Sequence, residues 1–271
     1  AILLGSDNGG TVTPTDGSVT TAKIVDDAVT GAKLADDIDI TTTGTITTQG
    51  TGTTGGTIEI ENTDTSGANG DFIGKINFKG NDSSSSASGT RAAIEAKVVS
   101  NFGSTELHFK TAGSGASATD AMVIDSDGQI TKPLQPAFSA TKSAHQLNYS
   151  GGTNTVTFNT EIFDQNGDYN GLNTFTAPVT GRYQLSYHLY LDGLSQAANW
   201  LEAQLITSNR TYYYTIDPDF GQNNVYWHLS NTILADMDAN DTAYINLAVH
   251  SSATGNDDIN AASWFTGFLA C

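Results

Sequence analysis

The stretch Phe175–Tyr190, FTAPVTGRYQLSYHLY, alternates apolar and polar side chains almost without a break. Successive side chains of a strand point to opposite faces, so Tyr183, Leu185, Tyr187 and Leu189 fall on one inward side. A slip of one residue would turn that row toward water, which pins the register. Helix-forming residues are scarce elsewhere, while Thr, Ser, Gly and Asn abound, a profile suited to short strands and tight turns. The 271 residues allow two average domains and a real core. The expected fold class is all-β.

Acidic residues outnumber basic ones 29 to 11, and the net charge is -18. Such a chain repels nucleic acid and anionic lipid, and no basic stripe offers a phosphate footprint. Colloidal solubility accounts for the acidity, with calcium held by clustered carboxylates as the alternative. The one cysteine, Cys271, excludes an intrachain disulfide. No apolar run is long enough to span a membrane, so no membrane insertion is expected. AILLG at the start lacks the basic flank and length of a signal peptide, and without an initiator Met the expectation is a processed form or a fragment.

Three segments are expected. Residues 1–56 are a repeat-bearing, Thr/Gly-rich stalk: GSVTTAKIVD is followed by DAVTGAKLAD, and ITTTGTITTQGTGTTGGT covers 40–57. A ten-residue unit cannot bury its own apolar side chains, so such repeats pack on neighbours; a soluble linker with chance similarity is the other reading. The Thr/Gly run reads as a flexible linker or as a narrow intertwined β-stalk, and Ile40, Ile46 and Ile58 favour the stalk. Residues 57–132 are a small β-rich unit with strands at TIEIEN, FIGKINFKG, TRAAIEAKVVS, TELHFKT and AMVIDSDGQI, the last holding an Asp127–Gly128 turn signal. It is thin in large apolar residues for a monomer. Pro133 and Pro136 mark the boundary to residues 133–271, where about eight strands in roughly 135 residues fit a jelly roll or similar sandwich. All three Trp lie in this last part.

The spacing of Phe158, Asp164, Tyr169, Phe175, Gly181, Tyr183, Leu185 and Tyr187, with WFTGFLA near the end, resembles the signature of the complement one-q and tumour-necrosis-factor-like globular heads. The Tyr169-to-Phe175 gap is one residue short of that pattern, and Leu185 stands where the pattern has Phe. The resemblance implies a ten-strand jelly roll assembled as a homotrimer, with Phe158, Phe175, Tyr183, Tyr187 and Phe268 in the core or the seam between subunits. It also implies a recognition head without catalysis. No collagen-like Gly-x-y run precedes it. The VTTAKIxD-type repeats and the unit ending in MVIDSDGQI instead resemble bacteriophage tail fibres.

FDQNGDYNG places Asp164, Asn166 and Asp168 at alternate positions, which suggests calcium ligation on an extended segment; a polar turn is the plainer reading. It is not a helix–loop–helix calcium site, because Tyr169 and Phe175 fill the positions that need Gly and Glu. DMDAND and GNDDIN read as solvated loops. TYYYTIDPDFG and VYWH supply Tyr212, Tyr214, Phe220, Tyr226 and Trp227, for which seam or core competes with a sugar-stacking contact; Trp200 shares that ambiguity. The five His show no metal-helix spacing, no GxSxG elbow anchors a triad, and no carboxylate pair is singled out for glycosidic cleavage.

The combination reads as a non-catalytic trimeric fibre protein of a virion tail fibre, attaching to a bacterial surface receptor or polysaccharide and joined at its N-terminal end to other fibre or virion proteins. The alternative is a secreted bacterial surface filament or adhesin polymerising through added strands, with AILL as the docking segment. No cofactor is certain, calcium being the one candidate.

Overall fold

A computed structural model describes residues 45–50, 52, 53, 55–84, 86–100, 103–147, 151–250 and 258–271, and the repeats at 17–36 and the AILL segment lie outside these. The chain divides into two compact units, Ala1–Glu59 and Ile60–Cys271. In the first unit the described residues form no strand, and Ile46 and Ile58 are exposed. No helix occurs among the described residues, and none is long and apolar enough to cross a membrane.

The described residues of the second unit form three sheets. The first is an antiparallel meander in the order β1-β2-β3-β4-β5. Its strands are β1 (Phe72–Gly80), β2 (Gly89–Val98), β3 (Thr105–Thr111), β4 (Thr119–Ile124) and β5 (Ile130–Thr131). The turn between β4 and β5 is the expected one. Asp125 Oδ1 accepts the backbone N–H of Asp127 and Gln129, and Gly128 takes φ 82°, which a side chain disfavours. TIEIEN, expected as the first strand, is not one. Ile60 instead lies over Gly74, where an added Cβ would sit 2.3 Å from Ile60 Cγ2, so its side chain covers the sheet and its backbone joins no ladder.

The remaining strands build a sandwich. They are β6 (Ala137–Thr141), β7 (Gly152–Thr155), β8 (Thr160–Asp164), β9 (Phe175–Thr176), β10 (Gly181–Leu194), β11 (Trp200–Thr207), β12 (Thr211–Ile216), β13 (Asn224–Met237), β14 (Thr242–His250), β15 (Asp258–Ile259) and β16 (Trp264–Leu269). One sheet runs β13-β10-β16-β6-β8 with β15 beside β10; the other runs β12-β11-β14-β7 with β9 beside β14. Neighbours in space are mostly distant in sequence, the crossing connectivity of a jelly-roll sandwich. TVTFNTEIF, expected as one strand, is divided between the two sheets. Residues 156–159 carry the chain across, and Val156 and Phe158 fill the interior on the way.

The alternation along β10 is what closes the core. Tyr183, Leu185, Tyr187, Leu189 and Leu191 are buried, and they meet Leu201, Ala203 and Leu205 of β11 and Ile245 and Leu247 of β14. One end of the core is aromatic: Phe138 stacks on Tyr169 and Phe175, and Phe265 meets it edge-on at 4.9 Å. The Tyr183 hydroxyl donates to the Val179 carbonyl at 2.7 Å and ties down the Pro178–Gly181 corner that leads into β10. Phe158, Phe175, Tyr183 and Tyr187 are therefore core residues of a single chain. Fully enclosed within one copy, they cannot also line a seam between copies. Of the five aromatics expected in the core or seam, Phe268 alone stays on the surface, 42% exposed.

Candidate functional site

The two outer faces of the sandwich differ in chemistry. On the β13-β10-β16-β6-β8 face the outward positions of β10 are opposed across the ladder by outward positions of β13 and β16. Tyr190 faces His228, and His188 faces Ser230 on one side and Trp264 on the other. Toward the far edge this face exposes Ile162, Phe163, Phe268 and Trp264, and toward the β13 edge Leu234 and Tyr226. Hydroxyls pair between the apolar side chains, Ser186 with Thr232 at 2.9 Å and Thr266 with the Phe138 carbonyl at 2.7 Å. Few charged side chains interrupt the face.

Two imidazoles meet at its centre. His188 Nε2 lies 3.0 Å from His228 Nδ1, and His188 Nδ1 lies 2.7 Å from Ser230 Oγ. Trp264 stacks on His188 at 5.7 Å, and the Tyr190 ring is 4.4 Å from that of His228. One proton is shared between two ring nitrogens, so a doubly charged pair would set N–H against N–H. Burial first, and His228 second, hold His188 below the ordinary histidine range. Sequence spacing could not reveal this pair, since the partners are 40 residues apart and meet only through the β10–β13 register.

The β12-β11-β14-β7 face is polar with isolated aromatics. Trp200 stacks on His250 at 4.3 Å and 16°, and Tyr213 is 61% exposed. Between their rows, the Gln204 amide donates to Glu202, and Thr155 Oγ1 donates to Asn246 Oδ1 at 2.9 Å. With strands about 4.8 Å apart and a rise of about 3.3 Å per residue, the Trp200 and Tyr213 positions are roughly 14 Å apart.

The expected contact residues do not gather at one place. Tyr212 packs half-buried against the core, with its hydroxyl pushed upward by burial. Tyr214 stands on the β12 edge and is 40% exposed. Phe220, in the β12–β13 connection, stacks on Trp227 at 4.7 Å, whereas Tyr226 meets Tyr190 edge-on at 5.6 Å from the neighbouring strand of the same sheet. Trp227 itself packs against the core.

FDQNGDYNG forms a turn closed by Asp164. Its Oδ1 accepts the N–H groups of Gly167 and Asp168 at 3.1 Å, and its Oδ2 accepts that of Tyr169 at 2.9 Å. The Asn166 amide donates to the Asp168 carboxylate, whose pKa is raised chiefly by burial. The three oxygen-bearing side chains are thus spent on the backbone and on one another. Among the described residues no group of three or more His, Cys, Asp or Glu is arranged to hold a metal ion. In DMDAND, Asp236 pairs with Arg210 at 2.5 Å and Asp241 caps the N–H of Asp238.

The polar face of the first sheet carries a compact charge network. His108 sits 3.0 Å from Asp120 and 3.1 Å from Glu106, and Lys110 Nζ lies 2.8 Å from Glu95. The Glu95 contact, ahead of the opposing effect of burial, raises the Lys110 pKa. A cavity of about 550 Å³ opens beside this network between Lys75, Arg91 and residues 115–118.

Comparison with known proteins gives one family. The C1q domain model matches residues 137–270. No curated protein matches the chain. Among solved structures, the globular domain of zebrafish complement 1qA protein is 21% identical, covering 51% of this chain and 98% of its own, with a TM-score of 0.37. Murine APRIL at pH 8.5 is 8% identical, covering 50% of this chain and 98% of its own, again with a TM-score of 0.37.

Proposed function

We propose, from the premise that residues 137–270 are a C1q-type globular domain, that the chain is a non-catalytic homotrimer whose heads recognise a cell-surface receptor or glycan. The observation that carries this reading is the outer face of the β13-β10-β16-β6-β8 sheet. It leaves Ile162, Phe163, Leu234, Trp264 and Phe268 between 38% and 67% exposed on one poorly charged surface. Contiguous apolar surface of this kind marks an interface, and a chain of charge -18 can meet its own copies only where neither side brings charge. The opposite face, with Trp200, Tyr213 and ordered amides and hydroxyls, then points away from the assembly and has the chemistry of a carbohydrate platform: flat rings for sugar faces, fixed polar groups for hydroxyls.

The setting we infer is a bacteriophage tail fibre. It is supported by the tandem VTxAK repeats, the Thr/Gly run and the MVIDSDGQI unit preceding the head. An intertwined stalk over residues 1–56, a β-unit over 57–132 and a head over 133–271 is the organisation that goes with it. Three weak sites on one shaft raise effective concentration, so avidity exceeds single-site affinity by about a hundredfold or more.

The test is adsorption to bacterial surface polysaccharide, comparing the parent chain with Leu234→Glu/Trp264→Glu. Light scattering should give about three times the 28.4 kDa chain mass for the parent and one chain for the variant, with binding about a hundredfold weaker in the variant. A monomeric parent overturns the trimer, and steady release of new reducing ends overturns the non-catalytic reading. Open-ended polymers in place of discrete particles would favour a bacterial surface filament.

A further inference from the structure

The meander β1–β5 is built the wrong way round for a sheet that stands alone. Its register puts Ile76 opposite Ile94, Ile94 opposite Phe109, Phe109 opposite Met122 and Ile124 opposite Ile130. Phe78, opposite Ala92, lies on the same side. That side carries no charged residue, and Ile76, Phe78 and Ile130 on it are 46%, 54% and 60% exposed. The other side holds Glu95, His108, Lys110 and Asp120, and there Glu95 and His108 are only 8% and 7% exposed. The polar side is the covered one: the Arg91 guanidinium donates to the carbonyls of Ala112, Gly113 and Ala116 and straps the β3–β4 loop across it.

A sheet normally buries its apolar face and leaves the polar one to water. Here the β3–β4 loop is spent on the charged network, and among the described residues the apolar side is covered at its edge, where Ile60 lies on Gly74. The exposed face measures roughly 20 Å by 20 Å from strand spacing and rise, or about 400 Å², within the range of about 300–600 Å² for the largest apolar patch of a monomer, a size often put to functional use.

We infer that this face is a second assembly surface, occupied by the same face of the other two copies in the trimer, so that three meanders turn their apolar sides inward around the assembly axis. A second copy fits better than a foreign partner on charge. The face offers nothing to steer an oppositely charged protein, while two acidic chains repel everywhere except across uncharged surface. The area alone is about half the 800 Å² per partner of a standard interface. It suffices because copies already joined through their heads meet at millimolar effective concentration. The inference rests on the trimer reading above.

The test places single thiols on the two sides of β1 in the full chain with Cys271→Ser. Phe78→Cys and, as a second position, Ile130→Cys report the apolar side; Asn77→Cys reports the polar side. Each sample is sized by light scattering and labelled with a maleimide. The expected result is a trimer in every case, with labelling at positions 78 and 130 at least tenfold slower than at 77, and interchain disulfides forming at 78 or 130 on oxidation. A trimer with equal labelling rates at all three positions overturns the inference and leaves the head trimer standing. A monomer overturns both.

Discussion

Replacing Gly267 by alanine puts a methyl group into a closely packed part of the head core. Gly267 sits on β16 between Leu185 of β10 and Phe138 of β6, its neighbours across two ladders. A Cβ there would lie 2.6 Å from Leu185 Cδ2 and 2.8 Å from Phe138 Cε1, and both residues are 0–1% exposed. Neither can swing outward. Overpacking a closed core costs about 1–3 kcal/mol. Gly267 is not among the glycines at positive φ, so alanine strains no backbone and regains about 0.5 kcal/mol through the unfolded chain. The net loss is about 1–2 kcal/mol, a fall of about 4–6 °C in the melting midpoint of a domain of this size. Calorimetry on the parent, Gly267→Ala, Leu185→Val and the double variant measures it. Shortening Leu185 removes the atom first struck, so Gly267→Ala should cost about 1 kcal/mol less in that background. An unchanged or raised midpoint in Gly267→Ala would refute the packing argument, and with it the assignment of this strand to the centre of the sheet.

Two buried tyrosines should respond in opposite senses to the loss of a hydroxyl. Tyr169 donates to the Phe158 carbonyl at 3.0 Å, so Tyr169→Phe loses about 1 kcal/mol, whereas the buried Tyr187 hydroxyl has no hydrogen-bond partner among the described residues, so Tyr187→Phe is neutral or gains about 1 kcal/mol in urea melts. Asp164→Ala strips the acceptor from three backbone N–H groups and should cost about 2 kcal/mol, equally with and without chelator, since the carboxylate serves the turn. The depressed pKa of His188 means the unfolded chain binds its proton first as pH falls. The stabilisation is therefore whole above the ordinary histidine pKa of about 6.5 and lost as pH drops through the lower folded value; His188→Gln should flatten the melting profile between pH 7 and 5, and His228→Gln, which leaves the burial in place, should flatten it less. Burial draws Lys142 down to about 8, so the parent should gain stability as pH rises from 8 toward 10 while Lys142→Met does not.

Alternation made the head legible. Tyr183, Leu185, Tyr187 and Leu189 are buried on β10 because a period of two leaves one side for the core, and the turn at Asp127–Gly128 follows from backbone chemistry that needs no tertiary context. The family spacing located the aromatic core but not its division between core and seam. Whether Phe158 or Phe268 is enclosed depends on which strand lies opposite, and that is fixed by contacts distant in sequence, such as Phe158 with Phe265, 107 residues on. TVTFNTEIF looked continuous because both sheets draw on the same alternating pattern, and nothing local marks the crossing at 156–159. The His188–His228 pair and the inverted meander were invisible for a related reason. Each arises from register between strands, and sequence spacing alone does not encode register across a ladder.

Electron microscopy of the purified chain tests the central claim most directly. The account predicts discrete particles with three heads related by a threefold axis, each head presenting the Trp200 and Tyr213 face outward. Isolated single heads, or a two-fold particle joined through the Trp200 face, would contradict it.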